Sequence, residues 1–153
     1  MSSLIPEPLY RQMLEHLPIA CVDVAIVAEG SVLLLKRTTP PAEHQWWLPG
    51  GRVNKNETLA TAAMRKVRAE VGINCRIKGI IHTGETFFPP DCNGVSRHTV
   101  NICFLADPLD PEIPPRLDQH HQAYQWVQSV PSGVHPYITD CLKAAGLIVQ
   151  TII

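Results

Sequence analysis

The chain has 153 residues, of which 45% are hydrophobic and 18% are charged, and 13 basic against 14 acidic side chains give a net charge of −1. This length and composition predict a single globular domain, residues 1–153, and exclude an intrinsically disordered chain. Since there is no basic excess, we expect no nucleic-acid partner, and any phosphate-binding site must be local.

The cysteines and the hydrophobic runs bear on the compartment. Five widely spaced cysteines include no C-x-x-C pair, which argues against a zinc cluster or a disulfide framework and favours a reducing compartment. No segment resembles a signal peptide, and no apolar run approaches the roughly 20 residues that span a membrane. We therefore expect a cytoplasmic protein with no membrane partner.

Hydrophobic periodicity predicts an alternation of strands and helices. An amphipathic helix is predicted over 6–16, with Leu9, Met13 and Leu14 on one face. The remaining predicted elements are strands over 19–28 and 32–36, a helix from about Asn56-Glu57 to a cap at Gly72, one or two strands over 73–88, strands over 98–106 and 124–127, and a helix over 135–147. The apolar tail 147–153 is expected to pack on a partner or to be partly disordered.

Glu70 interrupts the hydrophobic pattern of its helix. On a helical wheel it falls inside the apolar arc, between Leu59 and Ala63. A carboxylate there loses hydration, which costs several kcal/mol unless another group compensates. A divalent cation would compensate, and so would an ion pair with Lys66, one turn earlier. The wheel alone favours neither.

The stretch 50–73 resembles the Nudix box. The likeness lies in the spacing of Gly51, Glu57, Arg65, Val67, Glu70, Gly72 and Ile73. It implies an α/β fold, the Nudix-type α/β/α sandwich with a mixed sheet, in which a loop-helix-loop motif holds Mg²⁺, or alternatively Mn²⁺, against a nucleoside diphosphate derivative. It also implies structural roles for Gly51, Glu57, Arg65 and Gly72, with Glu57 and Arg65 paired.

The departures from the box narrow the resemblance. Lys66 and Ala69 stand where the usual box has Glu, so two of its three helix carboxylates are missing. The GDP-mannose mannosyl hydrolases, a Nudix subfamily, lack the same two carboxylates and keep the last. The likeness to this subfamily extends from about Asp23 to Trp126, and it argues against ordinary multi-metal pyrophosphatase chemistry.

The subfamily resemblance implies a metal site and a general base. Its expected ligands are Glu70, the Gly50 carbonyl and His120. Because Mg²⁺ prefers oxygen ligands, Gln119 is the alternative to His120. His121 corresponds to the general base, and a neutral imidazole can accept a proton near pH 7.

Four further residues are expected at the substrate. Arg37 and Arg52 are expected to bind the diphosphate and to assist catalysis, because one guanidinium group can donate two parallel hydrogen bonds to phosphate oxygens. By resemblance, Asp23 and His98 would also contact the substrate. A solvated aspartate on the strand is the alternative for Asp23.

The predicted reaction is Mg²⁺-dependent hydrolysis of a GDP-hexose, with GDP-mannose favoured, to GDP and free sugar by inverting substitution at the sugar C1. The substrate is thus a small nucleotide-sugar, and the resemblance also implies a homodimer to which the first helix contributes. One alternative is a Nudix pyrophosphatase that attacks phosphorus in another nucleoside-diphosphate compound. The other is a nucleotide-sugar sensor without catalytic activity.

Overall fold

The computed structural model describes residues 5–149. In chain order the elements are α1 Glu7–His16, β1 Ile19–Ala28, β2 Ser31–Arg37, β3 Trp46–Trp47, β4 Gly50–Arg52, α2 Leu59–Val71, β5 Cys75–Phe88, β6 Arg97–Pro108, β7 His121–Val127 and α3 Pro136–Ala144. Residues 150–153 of the apolar tail lie outside the described part, although Leu147 is buried and Val149 bridges to Val130.

The strands form one mixed sheet in the order β3-β2-β1-β6-β5, with β4 paired to β1 and β7 paired to β2. β1 and β6 run parallel, whereas the other pairs are antiparallel. β1 lies at the centre because its near-continuous apolar run can be buried on both faces, as central strands require. Its bounds are those that the sequence predicts.

Helices cover both faces of the sheet. Val22, Val24 and Ile26 of β1 pack in one core cluster with Val67 and Val71 of α2. On the opposite face Ala25 packs in a second cluster with Ile138 and Leu142 of α3. This arrangement confirms the predicted α/β/α sandwich. Among the described residues, no helix is long and apolar enough to cross a membrane.

Helix α2 begins later than predicted. Its N-cap is Thr58, whose Oγ1 accepts a hydrogen bond from the Thr61 amide at 3.1 Å, as capping residues do. Asn56 has a φ of 65° and belongs to the preceding turn, so the prediction of a start near Asn56-Glu57 is wrong by about half a turn. The predicted end is confirmed, since Gly72 caps the helix with a φ of 66°.

Two other predicted details need correction. Leu9 and Leu14 were predicted to share one apolar face of α1, but Leu9 is 51% exposed, whereas Leu14 is buried. β7 begins at His121 rather than at Tyr124, so His121 lies in a strand opposite Arg37 and not in the preceding loop. The predicted homodimer and cytoplasmic location stay predictions.

Candidate active site

A cleft of about 440 Å³ opens between α1, the loop after β2, β4 and α2. Its walls carry more cationic than anionic side chains. The basic residues are Arg37, Arg52, Lys66 and Arg97, and the acidic residues are Asp23 and Glu70. Because a concave surface with an excess of positive charge attracts anions, this cleft is suited to a phosphate-containing ligand.

Glu70 lines the cleft but is buried, with 3% of its surface exposed. Its Oε1 accepts a hydrogen bond from the Gly50 amide at 2.8 Å, and its Oε2 lies 3.4 Å from His121 Nε2. Burial raises the pKa of Glu70 to about 7, while the charge of Lys66 and the Gly50 amide oppose the shift. Within residues 5–149, Lys66 and Glu70 form no direct ion pair inside 4.0 Å, so the charge of Lys66 offsets the burial of this carboxylate only from a longer distance.

His121 faces Glu70 with an unpaired nitrogen. Its side chain is 1% exposed, and its Nδ1 lies 2.8 Å from Asp118 Oδ1. Burial lowers the pKa of His121, which favours the neutral ring, so Nδ1–H donates to the Asp118 carboxylate and Nε2 keeps its lone pair. Within the described residues Nε2 has no hydrogen-bond partner. A carboxylate oxygen and an imidazole lone pair thus face each other, an arrangement that a cation between them would stabilise.

The side chains at this point fit a divalent cation. Glu70, Asp118 and His121 each offer one ligand atom, and these atoms lie within 4.8 Å of one another. A carboxylate that accepts the other ring N–H is the usual partner of a metal-binding histidine. Two carboxylates suit Mg²⁺ or Mn²⁺, and the imidazole extends the range to softer divalent ions.

The two adjacent histidines occupy different surroundings. His121, predicted as the general base, lies at the cluster with Glu70 and Asp118. His120, predicted as the metal ligand, is exposed and lines the cleft, as is expected of a group that meets solvent or substrate. Gln119, the alternative ligand, is exposed as well. Asp118 was missed as a candidate, although an acidic residue three positions before His121 was a signal for it.

The predicted arginine pair lines the cleft. Arg37 Nε donates to the Pro41 carbonyl at 2.7 Å, and burial lowers the pKa of its guanidinium. The guanidinium carbon of Arg52 lies 4.8 Å from the centre of the Tyr10 ring, a cation–π contact with α1. Arg97, which the sequence did not single out, also reaches the cleft and pairs with Asp91 at 2.7 Å.

Asp23 lies in the floor of the cleft and is 2% exposed, so the alternative of a solvated aspartate is wrong. It accepts hydrogen bonds from Trp47 Nε1 at 3.2 Å, Asn101 Nδ2 at 2.9 Å and the Tyr137 hydroxyl at 2.7 Å. Burial raises the pKa of this carboxyl group, and the three donors oppose the rise. Asp23 therefore ties β1 to β3, β6 and α3.

His98 lies away from the cleft. Its Nε2 is 2.8 Å from Glu85 Oε2, and its ring stacks on Phe87 with centroids 4.3 Å apart. Neither His98 nor these two neighbours line the cleft. The position of His98 gives no support to the predicted contact with substrate.

Of the four predicted structural residues, Gly72 caps the end of α2, whereas Gly51, Glu57 and Arg65 lie around the loop that leads into the helix. Arg65 forms a two-point contact with Glu57, at 2.7 and 2.9 Å, and also donates to the Arg52 carbonyl at 3.0 Å. A Cβ on Gly51 would lie 2.6 Å from Lys66 Cε, so the flexible lysine side chain would have to move, and the φ of 156° at this position favours glycine. The pairing of Glu57 with Arg65 holds the loop before α2 against the helix, next to Arg52 in the cleft.

The comparisons with known proteins agree with this architecture. The family model described as "NUDIX domain" matches residues 17–129. The low-salt glycan biosynthesis protein Agl8 of Haloferax volcanii is 32% identical over 142 residues, which cover 92% of this chain and 90% of that protein. The ADP-ribose pyrophosphatase of Methanocaldococcus jannaschii is 29% identical over 96 residues, which cover 63% of this chain and 54% of that protein.

A solved structure supports the same conclusion. The MutT NUDIX hydrolase from Burkholderia pseudomallei is 28% identical, superposes with a TM-score of 0.70, and covers 83% of this chain and 97% of its own. The residues matched by the family model include the box and the three possible metal ligands Glu70, Asp118 and His121. The chain belongs to the Nudix hydrolase family.

Proposed function

We propose that the protein hydrolyses a GDP-hexose, with GDP-mannose as the favoured substrate, to GDP and free sugar by substitution at the sugar C1. The observation that carries the proposal is a basic cleft whose wall includes Glu70, the one carboxylate that α2 contributes to the group of possible metal ligands. Such a site is suited to neutralising a diphosphate leaving group. The similarity to Agl8, whose name refers to glycan biosynthesis, supports a sugar-containing substrate.

The leaving group would be stabilised by charge. A divalent cation, Mg²⁺ or Mn²⁺, held by Glu70, Asp118 and His121 would supply positive charge next to the diphosphate. Arg37 and Arg52 add fixed positive charge from the cleft wall, where the Pro41 carbonyl and the Tyr10 ring position the two guanidinium groups. Preorganised charge of this kind acts on the negative charge that develops as the C–O bond breaks.

The positions of the two histidines favour exchanging their predicted roles. His121 is buried against Glu70 and has the Asp118 partner that is typical of a metal ligand, so we assign it to the metal. His120 lines the cleft and is exposed, so we assign it to the proton transfer from the attacking water. A base and a leaving-group activator on opposite faces of C1 produce inversion, as in inverting glycosidases.

Attack at phosphorus is the main competing function. The similarity to an ADP-ribose pyrophosphatase favours it, as does that to the asymmetrical bis(5'-nucleosyl)-tetraphosphatase of Mus musculus, which is 35% identical over 55% of this chain and 56% of that protein. A pyrophosphatase would release a nucleoside monophosphate and a sugar phosphate. A sensor would bind the nucleotide-sugar and release nothing.

A turnover screen tests the proposal. GDP-, ADP- and UDP-hexoses and dinucleoside polyphosphates are incubated with enzyme and Mg²⁺ or Mn²⁺, and the products are separated as nucleotide, sugar phosphate and free sugar. GDP with free sugar is the expected result. A nucleoside monophosphate with a sugar phosphate would establish the pyrophosphatase instead, and tight binding without turnover would establish the sensor.

A further inference from the structure

Lys66 reaches from α2 across Gly51 into the cleft. A Cβ on Gly51 would lie 2.6 Å from Lys66 Cε and 3.1 Å from Nζ, so the missing side chain at Gly51 makes room for this lysine. Lys66 also lines the cleft, four residues before Glu70 on the same helix. Residues with this spacing are neighbours on a helix surface, and the charge of Lys66 acts on the Glu70 carboxyl group.

The ammonium group of Lys66 is available to a ligand. Within residues 5–149 it has neither a carboxylate within 4.0 Å nor a hydrogen-bond acceptor. Two neighbouring cations also contact protein groups, since Arg37 Nε donates to the Pro41 carbonyl and Arg97 pairs with Asp91. An ammonium carries three donors and no acceptor, so a half-buried one that faces a cleft is suited to an anion.

We propose that Lys66 binds the diphosphate of the substrate directly and that its charge limits the neighbouring cluster to one divalent cation. This inference rests on the proposed function only in taking a diphosphate as the ligand. The lysine and a bound cation repel a second cation from the same cleft wall, and the lysine supplies positive charge that a second ion would otherwise provide.

The first test measures pyrophosphate binding by calorimetry, in Mg²⁺ and again in EDTA. We expect Lys66→Met to weaken binding roughly 10- to 100-fold, the range for a lost hydrogen bond to a charged group, and Lys66→Arg to keep most of the affinity. Lys143→Met, on the exposed end of α3, is the matched control and should bind as the wild type does. Equal affinity of Lys66→Met and wild type in both buffers would overturn the inference.

The second test counts bound Mn²⁺ by electron paramagnetic resonance without diphosphate. Wild type should bind one ion per chain. Lys66→Glu should bind a second ion, because the new carboxylate faces Glu70 one turn away and the repelling charge is gone. Two ions in wild type, or one in Lys66→Glu, would refute the limit on metal number. Neither test depends on which bond is hydrolysed. The inference about Lys66 can therefore fail while the proposed function stands, and the proposed function can fail while the inference about Lys66 stands.

Discussion

Replacing each of the two histidines in turn should separate metal binding from proton transfer. In His121→Gln the imidazole that Asp118 orients at 2.8 Å is lost, together with the Nε2 atom that faces Glu70 at 3.4 Å. In His120→Gln that cluster stays intact, because the His120 side chain lines the cleft. The two variants should therefore fail in different measurements.

The magnitudes follow from the contacts. Losing only the group that orients a metal ligand costs about 10- to 100-fold in metal affinity, so losing the ligand itself should cost about 100-fold or more in His121→Gln. Losing a positioned base costs roughly 10²–10⁴-fold in turnover, which we expect for His120→Gln at saturating metal. His16→Gln, at the exposed end of α1, controls for the loss of a histidine that touches neither site.

The assay is a Mn²⁺ titration followed by electron paramagnetic resonance, paired with kcat at saturating Mn²⁺. We expect His120→Gln to bind Mn²⁺ as tightly as wild type and to turn over slowly. The opposite pattern, with full Mn²⁺ affinity and slow turnover in His121→Gln, would refute the exchange of roles and restore His121 as the base.

Three further predictions concern the buried groups beneath the cleft. Because burial raises the pKa of Glu70 to about 7, its carboxyl is largely protonated below that pH in the metal-free protein and must lose the proton to bind a cation. Mn²⁺ affinity should thus rise about tenfold per pH unit up to about pH 7 and level off above it, and a flat profile would contradict the assignment. Asp23→Leu leaves three buried donors without their acceptor and should lower the free energy of unfolding, measured in urea, by about 1–3 kcal/mol per donor, whereas an unchanged midpoint and slope would argue against the network. Gly50→Ala places a Cβ 2.2 Å from the Val22 carbonyl, so β4 must shift, and both thermal stability and Mn²⁺ affinity should fall, which wild-type values for both would refute.

Elements with a strong local signal were predictable. The bounds of β1 follow from an apolar run that stops at the Glu29-Gly30 turn. Both residues of this turn have a positive φ, which ends the strand. The burial of Glu70 follows from the helical period, because the residues around it on the wheel are apolar. The sequence could not exclude its ion pair with Lys66, since the direction of a long flexible side chain depends on the space over Gly51.

The environment of the histidines was not predictable. β7 pairs Ala123 with Lys36 and His121 with Arg37, so Gln122 is an extra residue at a β-bulge. Beyond such a bulge, side chains that would point to one face of the sheet point to the other. The local amino-acid composition does not indicate that a bulge is present. Arg97 was missed for a related reason. Its side chain pairs with Asp91 on the other side of a turn, and the alternation of residues along β6 does not predict that contact.

The most direct test of attack at the sugar C1 is hydrolysis of GDP-mannose in water labelled with oxygen-18. The products are analysed by mass spectrometry, and the newly released sugar is analysed by NMR before its anomers equilibrate. Attack at C1 predicts label in the free sugar, which should first appear as the anomer opposite to that of the substrate. Label in a phosphate-containing product would contradict the account, because it would show attack at phosphorus.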